Sequence, residues 1–149
     1  MTLKQNLYHQ CKHILAERLA RIKQSIADIQ EGLTSETKSS AGDKHETGRA
    51  MLQLEREKAG QQLHDIQLLN EVFSKINPQD RPGKISLGSV VWTSKAHYFI
   101  SVSLGALQVE QNTFYAISPH TPIGKLLMGK EVGDELSFNH VSFVIKEVI

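Results

Sequence analysis

The 149-residue chain contains a single cysteine, Cys11. One thiol builds neither an internal disulfide framework nor a multi-cysteine zinc site. A free thiol fits a reducing compartment. No run approaches the ~20 apolar residues of a membrane span. Residues Met1 to Gln10 lack the apolar core of a secretory signal. These absences predict a soluble cytoplasmic protein with no membrane partner. Charge of one sign is also lacking: 17 Lys and Arg face 16 Asp and Glu, leaving +1. That balance excludes nucleic-acid binding through bulk charge and leaves only a local basic face. No Walker motif, Gly-x-Ser-x-Gly elbow or dinucleotide fingerprint is present. With 40% hydrophobic and 22% charged residues, the composition suits a folded globular chain. Its length allows one domain or two small ones.

Residues 1–76 contain no proline and are rich in Leu, Ile, Gln, Glu, Lys and Arg. Leu15, Leu19, Ile22, Ile26, Ile29 and Leu33 recur at alternating steps of four and three. The same phase reaches back to Cys11 and Tyr8. This is the seam of a coiled coil. A second seam runs through Leu52, Arg56, Ala59, Leu63, Ile66, Asn70 and Phe73. Arg56 and Asn70 make it less regular, and Gly60 inside it costs about 1 kcal/mol against alanine. The stretch from Gly32 to Thr47, rich in Ser, Thr and Gly, reads as a polar break. The expectation is an antiparallel helical hairpin over 1–76 with its tip near 33–47. About 30 residues per helix gives a rod of roughly 45 Å. Such a rod buries little surface for its size, so its reach needs a purpose.

Asn77-Pro78-Gln79-Asp80-Arg81-Pro82-Gly83 breaks any helix and reads as a linker over 77–83. Residues 84–149 are rich in β-branched and aromatic residues. Strands are expected at Ser89–Thr93, Tyr98–Ser103, Asn112–Ala116 and His140–Val148. A short helix is expected from Pro122 to Met128, with Thr121 as N-cap, Pro122 at the first helical position and Gly129 as the stop. The fold class is α+β: a helical hairpin followed by a small α+β domain.

The string Gly42-Asp43-Lys44-His45-Glu46 places two carboxylates three residues apart near the expected start of the second helix. Carboxylate oxygens are hard ligands that recruit Mg²⁺ when other ligands come from elsewhere. Two carboxylates on a tip make no complete metal site but can supplement a partner's. The same spacing is also that of a capping box, with Asp43 accepting from a backbone N–H and Glu46 reaching back. Spacing alone leaves both readings open. His9 and His13 have i, i+4 metal-ligand spacing but no evident third ligand. Lys12, Arg18, Arg21 and Lys23, against Glu17, form a mildly basic stretch that suits either a phosphate backbone or solvated charge beside a seam. Cys11, in phase with the seam, reads as a small buried hydrophobe. Trp92 reads as core.

The stretch Ile117-Ser118-Pro119-His120-Thr121-Pro122, then Ile123 to Met128, then Gly129-Lys130-Glu131-Val132-Gly133-Asp134-Glu135 resembles the C-terminal domain of Gre-type transcript-cleavage factors. That family carries a Ser/Thr-Pro step, an amphipathic helix and Gly-Lys-x-Val-Gly-Asp-Glu. The resemblance implies an antiparallel coiled coil followed by a domain of the FK506-binding-protein type over 84–149. It also implies a role: a transcription elongation factor that binds RNA polymerase. The globular domain would dock at the rim of the secondary channel through Ser118, Pro119, His120, Thr121 and Pro122. The coiled coil would carry Asp43 and Glu46 to the catalytic centre, where they would share Mg²⁺ with the polymerase. The chain would bind no metal alone and would be no enzyme itself. It would meet the RNA 3′ end indirectly and DNA only through the polymerase. The family's tip motif is Gly-Asp, two residues, then Glu-Asn. Here Thr47 replaces the Asn, and Arg49 and Ala50 stand where an acid and a Tyr are usual.

Three other readings share parts of this pattern. A Gre-like inhibitor would dock identically but misplace the metal. A peptidyl-prolyl isomerase would need an aromatic pocket drawn from Trp92, Tyr98, Phe99, Phe114, Tyr115, Phe138 and Phe143. A non-catalytic coiled-coil adaptor would not use the tip acids.

Overall fold

The computed structural model describes the backbone of residues 1–38 and 43–149 and the side chains of 1–35 and 46–149. Helix α1 covers Leu3–Lys38 and α2 Asp43–Phe73. Strands β1 (Val90–Thr93), β2 (His97–Ile100), β3 (Gly105–Val109) and β4 (Asn112–Ile117) precede helix α3 (Pro122–Leu127). Strands β5 (Glu135–Phe138) and β6 (Val141–Val148) complete the chain's elements. The fold is α+β, a long helical pair followed by a mixed sheet. Two compact units form: Leu15–Asn70, and Met1–Ile14 together with Glu71–Ile149.

In the helical unit the pair runs antiparallel. Arg18 and Ile22 share a furrow with Ile66 and Leu69, whereas Ser25 and Ile29 share one with Glu55 and Ala59. Rising numbers on α1 therefore meet falling numbers on α2. Leu15, Ile29, Ala59 and Ile66 are buried, while Leu19, Ile22, Ile26, Leu52 and Leu63 are half-buried. The partial cover follows from each helix having one neighbour within the pair. Arg56 lies half-buried in the seam, with its Nη1 only 3.1 Å from where a Cβ on Gly60 would stand. The missing side chain of Gly60 makes room for the long arm of Arg56, which accounts for these two residues in the seam.

The break is shorter than the sequence suggests. Residues 33–38 continue α1, and residues 43–47 already belong to α2. Two local reasons stand out. Thr34 Oγ1 donates to the Gln30 carbonyl at 3.0 Å, so its hydroxyl is accommodated within the helix. Gly32 faces α2, its Cβ position only 3.3 Å from Leu52 Cδ1, so it permits close approach instead of ending the helix.

The other unit holds a six-stranded sheet in the order β3-β4-β2-β1-β6-β5. β2 and β4 pair in parallel, with Tyr98 beside Tyr115, and every other pairing is antiparallel. Alternation assigns the two faces. Val91, Ile100, Phe143 and Ile145 cluster with Ile85 and with Leu127 of α3. Val90, Phe99, Phe114 and Ala116 are buried on the opposite face. The start of α1 belongs to this unit. Gln10 Nε2 donates to the Gln108 carbonyl at 2.8 Å, and Tyr8 stacks on Phe73 with centroids 4.7 Å apart. Leu7 and Cys11 are fully buried, while Tyr8 is half-buried. Thr2 and Gln5 close a reciprocal capping box at the start of α1, with bonds of 3.1 and 3.0 Å.

Candidate functional site

The helical unit carries the acidic string. Its Glu46 is exposed in the first turn of α2. The side chain of Asp43 and residue Gly42 lie outside the described residues. Thr47 is exposed and Arg49 half-buried. Among the described residues no group of three or more His, Cys, Asp and Glu side chains can hold a metal ion. His9 and His13 are exposed on α1. What the described residues offer here is one solvent-facing carboxylate, a hard donor whose remaining coordination partners would have to come from elsewhere.

The sheet-bearing unit carries the loop Ser118–Pro122, which is tightly organised around Ser118. Ser118 N–H donates to Ser103 Oγ at 3.2 Å, and its own Oγ accepts from His120 N–H at 3.1 Å. The Ser118 carbonyl accepts from the Thr121 N–H at 3.2 Å and from the Thr121 hydroxyl at 2.8 Å. Thr121 Oγ1 in turn accepts from Gly124 N–H at 3.1 Å, the N-cap bond of α3. Pro122 occupies the helix start, and Gly129 (φ +81°) follows the end, as the sequence predicts. His120 and Pro122 are exposed, whereas Ser118, Pro119 and Thr121 are half-buried. The outcome is a pre-formed projection bearing one imidazole and one proline.

Gly124 is what lets this loop close, and sequence reasoning passed over it. A Cβ there would stand 2.2 Å from the Ser118 carbonyl oxygen and 2.8 Å from Thr121 Oγ1. No local pattern announces such a contact, because both partners lie in the preceding loop. One buried charged group was equally silent. Lys4 is 1% exposed and donates to the Asp80 carbonyl at 2.6 Å and to the Ile149 main-chain oxygen at 3.3 Å. Cys11 is buried, as its place in the seam predicts. Burial pushes its thiol up to about 11, partly offset by a hydrogen bond with Ser101.

The aromatic residues divide differently from a simple core. Phe99, Phe114 and Phe143 are buried, Trp92 is half-buried, and Tyr115 is 43% exposed. Trp92 packs against His97, whose Nδ1 accepts from Thr93 N–H at 3.2 Å. Burial lowers its pKa below the ordinary value.

No protein-family model matches the chain, and no curated protein matches it. Among the described residues no helix is long and apolar enough to cross a membrane.

Proposed function

We propose that the protein is a polymerase-binding elongation factor of the Gre type, with a sheet-bearing unit of the FK506-binding-protein type. The observation that carries this reading is the combination of an antiparallel helical pair with the Thr121-capped helix α3. The resemblance noted above expects both, in that order along the chain. In this reading Ser118–Pro122 meets the polymerase and the helical pair enters the secondary channel. Asp43 and Glu46 supply oxygen ligands to Mg²⁺ held by the polymerase, whose own centre then cuts the backtracked RNA. The exposure of Glu46 supports that role. The replacements Thr47, Arg49 and Ala50 favour a second reading, an inhibitor that docks in the same way.

Backtracked polymerase complexes test the proposal. Added protein should accelerate release of RNA 3′ fragments, and Asp43→Asn with Glu46→Gln should abolish the acceleration while leaving binding intact. Binding with slowed cleavage identifies the inhibitor. A failure to bind polymerase rejects both.

A further inference from the structure

The six-stranded sheet ends in two edge strands, β3 and β5. They are finished differently. β3 turns into β4 through Glu110, held at φ +56°, and its Gln108 carbonyl accepts from Gln10 Nε2 of α1. β5 pairs with β6 alone. Among the described residues nothing beyond that ladder bonds the main chain of Glu135 or Ser137.

The register fixes which groups of β5 stay free. Antiparallel pairs alternate between residues that exchange both main-chain bonds and residues that exchange none. The two-residue turn Asn139-His140 makes Phe138 and Val141 an exchanging pair. Leu136 with Phe143 is the next such pair, which leaves Glu135 with Val144 and Ser137 with Ser142 as the non-exchanging ones. Val144 has the phase this requires. Its N–H donates to Ser94 Oγ and its carbonyl accepts from Ser94 N–H, both on the β1 side of β6. Glu135 and Ser137 therefore turn their N–H and C=O groups to the open edge. Their side chains are exposed, whereas Leu136 and Phe138 are half-buried against the core cluster.

We propose that a second copy of this chain pairs with this edge, β5 against β5 in antiparallel sense, about a two-fold axis at Leu136. The free groups are self-complementary in that register. Glu135 lies opposite Ser137 of the second copy, and Ser137 opposite its Glu135, so every outward N–H meets an outward C=O. An axis at Glu135 would set two carboxylates face to face. An axis at Ser137 would place Glu135 opposite the turn residue Asn139. With the axis at Leu136, the two Leu136 side chains form a non-exchanging pair, the kind in which side chains approach most closely.

The inference does not depend on the polymerase reading. The full chain is followed by sedimentation velocity from micromolar to millimolar concentration, with amide exchange read along β5. The expected result is a weak, reversible dimer, because an edge of 4 residues is short. The Glu135 and Ser137 amides should exchange freely in dilute solution and gain about tenfold protection when concentrated, while Leu136 and Phe138 stay protected throughout. Ser137→Pro removes an outward donor and leaves the β5–β6 bonds in place, so it should weaken dimerisation about tenfold with little change in melting temperature. The exchange measurement needs no variant and stands if that proline unfolds the strand. A chain that stays monomeric at millimolar concentration overturns the proposal and leaves the edge to a different partner. A dimer in which the Glu135 and Ser137 amides gain no protection, or which a folded Ser137→Pro chain forms equally well, overturns it too.

Discussion

The Lys4 ammonium lies 2.6 Å from the Asp80 carbonyl oxygen, inside a side chain that is almost wholly out of solvent. Both acceptors have other donors: Asp80 O accepts from Arg81 Nη1 and Ile149 O from Val90 N–H. Lys4→Met, which keeps the volume and removes the charge, should therefore leave stability within about 1 kcal/mol of wild type or raise it. Lys4→Ala should lose about 2–4 kcal/mol through the cavity alone. Burial, helped by the Arg81 charge, lowers the Lys4 pKa from 10.5. Just below pH 10.5 the unfolded chain then holds more protons, so stability should rise with pH through that window. Lys4→Met should flatten the rise. Denaturant melts across pH check both points.

Cys11 should be nearly inert in the native chain. With its thiol pushed up to about 11, roughly one molecule in a thousand carries a thiolate at pH 8. Burial also blocks the reagent. Labelling with a thiol-reactive chromophore should be slow in buffer and complete within minutes in denaturant. Fast native labelling would show that the start of α1 opens readily from its unit.

The β5–β6 turn places both Asn139 (φ +51°) and His140 (φ +67°) in the left-handed region. Two such residues joining Phe138 to its partner Val141 make the hairpin turn that favours Asn-Gly. The first position is already right, and the second holds an exposed histidine. His140→Gly should stabilise the sheet-bearing unit by about 0.5–1 kcal/mol. A thermal melt should show a gain of a few degrees.

Acid should loosen the same unit through His97. Burial lowers the folded pKa from 6.5, and protonation of Nδ1 would also remove the acceptor of Thr93 N–H. Between the two values the unfolded chain binds more protons, so stability is lost as pH falls below 6.5. His97→Gln should reduce the slope of melting temperature against pH between 5 and about 6.5. An unchanged slope would assign the acid response to other groups.

These sites differ in how much the chain announces them. The α1 seam from Leu15 to Leu33 is legible because one face is repeated over several turns. The α3 start is legible because Thr121-Pro122 is a local signal with a local cause. Strand β3 is not, since only Leu107 of its five residues is buried, and a single inward residue makes no alternation. Strand β5 alternates over four residues without a fully buried one. The capping box at Thr2 and Gln5 has the same spacing as Asp43 and Glu46. Lys4 owes its role to neighbours distant in sequence, Gly124 to the way the preceding loop folds back on it, and Glu110 to a backbone angle, none of which residue type reveals. Of the candidate tip, residue order shows the spacing of Asp43 and Glu46 but not which atoms their oxygens meet.

Gly124 gives the sharpest packing prediction. The Ser118 carbonyl that a Cβ would strike is also the acceptor for both the N–H and the hydroxyl of Thr121. Backbone cannot retreat as a flexible side chain can, so Gly124→Ala must push the whole loop outward. The expected loss is about 2–3 kcal/mol, from overpacking and from the weakened cap. Thr121→Ala removes the cap bond without a clash and should lose about 1 kcal/mol. Both variants should lower the melting temperature of the sheet-bearing unit, Gly124→Ala further. In the proposed role they should also weaken polymerase binding, because they disturb the projection that bears His120 and Pro122. His120→Ala is the control: its side chain is exposed, so stability should stay within about 0.5 kcal/mol. If His120→Ala weakens polymerase binding without changing the melt, the loop contacts the partner directly. If only the two destabilising variants weaken binding, the loop matters for the unit's integrity and not for contact.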